Sequence, residues 1–78
     1  MLNEKQEAIL LGMTLLGATP TGHAAWENVE DGEEAWFEML SQDYIGRQNG
    51  LFSLTNKGID AVTNILMKNA RRRLQEST

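Results

Sequence analysis

The chain contains no cysteine, so it can form neither a disulfide nor a thiolate metal site. Its one histidine, His23, cannot supply the three or four ligands that a metal centre needs, and no metal or other cofactor is expected. The longest apolar stretch, residues 8–18, falls well short of the ~20 residues that span a bilayer. Nor does it follow a positive segment, because Glu4 and Glu7 outnumber Lys5, so it does not read as a signal peptide. The chain therefore reads as cytoplasmic, without a membrane association. Gly12 and Gly17 lie in that apolar run and lack the Lys-Ser/Thr of a phosphate-binding loop. His23, Asp31 and Ser41 are residue types found in catalytic triads, but nothing in their spacing brings them together. With 78 residues there is room for one domain (1–78) and hardly any for an enclosed catalytic pocket. No enzymatic activity is expected.

What is present is an uneven charge. The net charge is −4. Residues 1–46 hold nine acids (Glu4, Glu7, Glu27, Glu30, Asp31, Glu33, Glu34, Glu38, Asp43) against the single base Lys5. Residues 47–78 hold six bases (Arg47, Lys57, Lys68, Arg71, Arg72, Arg73) against Asp60 and Glu76. An acidic face and a basic end favour oriented contact with a charged partner, or head-to-tail contact with a second copy.

Local signals give the element order. Asn3 followed by Gln6 forms a capping box, so a helix opens near residue 4, and Gly17 is its stop. Ile9, Met13 and Leu16 cluster on this helix, while Leu11 and Leu15 lie nearly opposite. A helix apolar on all sides is either central or covered by another chain. Leu11 and Leu15 are therefore a candidate homodimer interface. A short helix over Ala24–Val29 is expected, capped by Thr19 or Thr21. Asp31 then caps a third helix on which Trp36, Met39 and Leu40 share one face, and Glu34, Glu38, Ser41 and Gln42 the other. Asn49-Gly50 between two strand-like runs predicts a hairpin with a type I′ turn. Thr55 caps a final helix in which Ile59, Val62, Leu66 and Ala70 recur at helical spacing, and residues 75–78 are expected to fray. Met13, Met39 and Met67 read as core fillers. The fold class is mostly α with one β-hairpin, in the order helix, helix, helix, hairpin, helix.

Over residues 33–66 this pattern resembles a winged helix-turn-helix domain. The resemblance rests on Leu40-Ser-Gln-Asp-Tyr-Ile45, then Gly50-Leu-Phe-Ser-Leu-Thr55, closing in Leu54-Thr55-Asn56-Lys57-Gly58. Glu27 and Asn28 depart from it, standing where that family places small or apolar residues. The resemblance implies a third helix able to enter the DNA major groove and a wing able to touch the backbone. It makes Ser41, Gln42, Arg47, Gln48, Asn49 and Lys57 candidate nucleic-acid contacts of a transcriptional regulator, and the basic cluster Arg71, Arg72 and Arg73 beyond it joins them by its charge.

Charge argues the other way. Duplex binding draws on phosphate neutralisation. Between Ala24 and Gly46 there are seven acids and no Lys or Arg. Six acids within residues 27–38 exceed what helix capping needs. The first expectation is thus a protein-interaction module whose acidic helix face (Glu30, Glu33, Glu34, Glu38) binds a basic or nucleic-acid-handling partner. Trp26 and Trp36 suit the core, and Trp36, set among the acids, is also the candidate aromatic anchor of that face.

Overall fold

The computed structural model describes residues 2–76. The elements are α1 (Glu4–Leu16), α2 (His23–Trp26), α3 (Gly32–Ser41), β1 (Ile45–Gln48), β2 (Leu51–Leu54) and α4 (Asn56–Glu76). This is a mostly helical fold with one antiparallel hairpin, in the order expected from the sequence. Among the described residues no helix is long and apolar enough to cross a membrane.

The capping box at α1 is complete. Asn3 Oδ1 accepts from the Gln6 N–H at 2.9 Å, and Gln6 Oε1 accepts from the Asn3 N–H at 3.0 Å. Gly17 closes the helix at φ 68°, its N–H bonded to the Met13 carbonyl. α1 is the central helix, in contact with α2, α3, α4 and β2. That position resolves its all-round apolar character differently from the expected clustering. Ile9, Leu10 and Met13 are buried, Leu11 is half-buried against the core, Leu16 is exposed, and Leu15 is 89% exposed. Leu11 and Leu15 therefore do not form one open patch: the neighbouring elements cover the first and leave the second in solvent.

The hairpin pairs Ile45 with Leu54, Gly46 with Ser53, Arg47 with Phe52 and Gln48 with Leu51. Asn49 and Gly50 turn it with φ 55° and 77°, as a type I′ turn requires. A feature the sequence did not announce lies beside it. Thr19, between α1 and α2, exchanges two backbone hydrogen bonds with Phe52, at 2.9 and 2.7 Å. The α1–α2 connection thus lies along β2 as a one-residue third strand.

Three expected features differ. The N-cap of α2 is Gly22, and the helix spans only His23–Trp26. The Thr19 and Thr21 hydroxyls accept from the N–H groups of Gly22 and of His23, the first residue of the helix. Asp31 is the N-cap of α3 without a side-chain cap bond: its backbone is left-handed at φ 55°, not the extended conformation that capping uses, and its carboxylate pairs with Lys5. α4 is rotated relative to the expected stripe. Thr55 caps it through the Gly58 N–H at 3.1 Å, and the buried side chains are Val62 and Ile65. Ile59, Leu66, Met67 and Ala70 face solvent. α4 runs through Glu76, and 77–78 of the expected tail lie outside the described residues.

Candidate protein-binding face

The α2–α3 turn determines what the acidic segment presents. The Val29 N–H bonds to the Trp26 carbonyl, the Gly32 N–H to the Val29 carbonyl, and Asp31 adopts φ 55°. α3 then leaves the turn with Ala35, Trp36 and Met39 inward. Trp36 is only 4% exposed and packs edge-on against Phe52, ring centroids 5.5 Å apart. It is a core residue tying α3 to the hairpin, so its expected role as an exposed anchor is corrected. The exposed aromatic is its neighbour Phe37, at 58%. Adjacent helical residues diverge by about 100°, so only one of the pair can face the core.

Phe37 shares an open groove with Val29 and the half-buried Trp26, edged by Glu27, Asp31, Glu33 and Glu34. Glu30, Glu33 and Glu34 are exposed as expected. Glu38 is half-buried, its carboxylate accepting from Gln6 Nε2, so it serves the α1–α3 junction. Lys5 Nζ lies 2.9 Å from Asp31 Oδ2. The ammonium is held above its ordinary pKa mainly by that hydrogen bond, which outweighs the opposing desolvation, with the charges of Asp31, Glu30 and Glu34 adding smaller contributions. His23 Nδ1 approaches Glu27 Oε2 at 3.1 Å and stacks edge-on against Trp26 at 4.5 Å.

The candidate nucleic-acid residues are scattered. The Ser41 hydroxyl donates back to the Glu38 carbonyl. Gln42 is the C-cap of α3, and its carbonyl accepts from Lys57 Nζ at 2.7 Å. That ammonium also sits 4.4 Å from the centre of the Tyr44 ring. Lys57 is therefore a brace between α4 and the end of α3. Arg47 lies over Phe52 at 5.6 Å, while Gln48 and Asn49 are exposed at the wing tip. Arg71, Arg72 and Arg73 are exposed on the far end of α4. Lys68 is paired with Glu7 at 2.9 Å. Among the described residues no group of three or more His, Asp or Glu is placed to hold a metal.

Phe37 was the residue that sequence reasoning missed. The only available signal was its adjacency to Trp36, which forces one ring outward. Compared with protein-family models, with curated proteins and with solved structures, the chain matches none.

Proposed function

We propose that the chain is a non-enzymatic, winged-helix-like cytoplasmic module that binds a protein with a basic surface, such as one that handles nucleic acid. The observation that carries this reading is Phe37, exposed in an open groove that it lines with Trp26 and Val29 and with the acids Glu27, Asp31, Glu33 and Glu34. An apolar centre ringed by charge is the anatomy of a protein interface. The partner offers an apolar pocket for the ring and Lys or Arg side chains for the rim. A phosphate backbone approaching the same face would meet carboxylates, which makes α3 a poor reader of a duplex. Such a face can also compete with nucleic acid for the partner's basic surface. The winged-helix reading is supported by the closing Leu54-Thr55-Asn56-Lys57-Gly58 and by the Thr19–Phe52 bridge, which extends the hairpin on the side of β2.

A DNA-binding regulator is the second reading, favoured by one observation: Arg71, Arg72 and Arg73 are exposed together at the end of α4. Heparin chromatography at low ionic strength tests the pair. The proposed module flows through. Retention that disappears in the Arg71→Ala, Arg72→Ala, Arg73→Ala variant supports the regulator instead.

A further inference from the structure

The sequence offers Ile59, Leu66 and Ala70 as a core stripe, and the structure turns that stripe to solvent. Val62 and Ile65 are the last buried side chains along α4. On the outer side, Ile59, Leu66 and Met67 are each about half exposed, and Leu74 is 69% exposed. Thr63 lies among them, its hydroxyl engaged with the Ile59 carbonyl at 3.0 Å, which removes the one polar group from the stripe. At 100° per residue, Ile59, Thr63, Leu66, Ala70 and Leu74 fall within about 80° of arc. That is the narrow seam of a helix pair, with Met67 at one edge and Arg73 at the other.

The spacing of the seam is symmetric. Counted inward from its two ends, Ile59 corresponds to Leu74, Thr63 to Ala70, and Leu66 to Met67. Two copies laid antiparallel about a twofold axis therefore bring Ile59 onto Leu74, Leu66 onto Met67 and Thr63 onto Ala70, with no register slip. The charges agree. Asp60 and Arg71 flank the seam on the same side and near opposite ends, so antiparallel pairing sets each Asp60 close to Arg71 of the second copy, twice over. A parallel pairing would instead align Arg71, Arg72 and Arg73 with their own copies and repel.

We infer that the exposed Ile59–Leu66–Leu74 seam of α4 pairs antiparallel with the same seam of a second copy, forming a homodimer. This places self-association on the last helix and leaves the acidic α2–α3 face free for a different partner. The seam covers about four turns, a small interface, so a dissociation constant of about micromolar order is expected.

The lack of native cysteine gives a direct test. Sedimentation velocity from about 1 to 500 μM should show a monomer–dimer equilibrium. The variant carrying both Ile59→Cys and Leu74→Cys should oxidise to a covalent dimer. Neither single variant should, because like positions lie about 22 Å apart along an antiparallel pair. Leu66→Lys, at an exposed position and with helical content checked by circular dichroism, should raise the dissociation constant at least tenfold. A wild type that is monomeric throughout overturns the inference. So does efficient cross-linking of the Ile59→Cys single variant, or a dimer unaffected by Leu66→Lys.

Discussion

Gly22 lies directly beneath the indole of Trp36: a Cβ added at Gly22 would fall 2.1 Å from Trp36 Cη2. The backbone there is also at φ 66°. The close approach lets the α1–α2 connection cover the ring that fixes α3 to the hairpin. Gly22→Ala must both displace the indole and strain the backbone. A loss of about 2–4 kcal/mol is expected, read as a fall in Tm of about 10 °C or more. A near-neutral melt would mean that Trp36 does not pack as described.

Gly50 is the opposite case. Its φ is 77°, yet a Cβ there would meet nothing within 4 Å. Only backbone strain opposes substitution. Gly50→Val should cost about 1–2 kcal/mol, and Gly50→Asn clearly less, because Asn tolerates the left-handed region. Equal melting temperatures for the two variants would argue against the type I′ turn.

The two leucines of α1 should separate. Leu15→Lys places charge where the side chain is already 89% exposed, and thermal stability should change little. Leu11→Lys disturbs a residue half-buried against the core, with an expected cost of about 1–3 kcal/mol. Equal effects would revive a shared α1 patch.

For nucleic acid, the comparison is between ends of the molecule. On the regulator reading, replacing Arg71, Arg72 and Arg73 by Ala should abolish nonspecific DNA binding and flatten its salt dependence, whereas the proposed module has no such binding to lose. Glu33→Gln with Glu34→Gln should strengthen that binding by relieving repulsion. Fluorescence anisotropy on a labelled duplex reads both. Loss of sequence-specific binding in the Gln variant would instead make those glutamates base readers.

Features governed by neighbouring residues were legible in the sequence. The Asn3–Gln6 box, the Gly17 stop, the Asn49-Gly50 turn and the Thr55 cap each depend on two to four consecutive positions. Features governed by tertiary approach were not. Helical spacing joined Ile59, Val62, Leu66 and Ala70 of α4 in one stripe, and the structure keeps only Val62 of it inward, with Ile65. The rotation follows from Gly58, whose missing side chain lets α4 close on the Tyr44 carbonyl, where a Cβ would sit 2.1 Å away. That contact turns Val62 and Ile65 inward and Ile59, Leu66 and Met67 outward. The selection of Trp36 over Phe37 for the core depends likewise on Gly22 and Phe52, both distant in sequence. The Thr19–Phe52 bridge is a single residue pair with no alternating pattern to betray it.

The central claim is that the Phe37-centred acidic face holds a basic protein partner. The most direct measurement is affinity capture from the native cell, read by quantitative mass spectrometry. Wild type is compared with a folded variant carrying Phe37→Ser, Glu33→Gln and Glu34→Gln. The account predicts one or a few proteins with basic surfaces on the wild type, depleted at least tenfold on the variant, with binding reproduced by the purified components. The same proteins recovered equally on both, or DNA recovered on the wild type and lost with Arg71, Arg72 and Arg73, would contradict it.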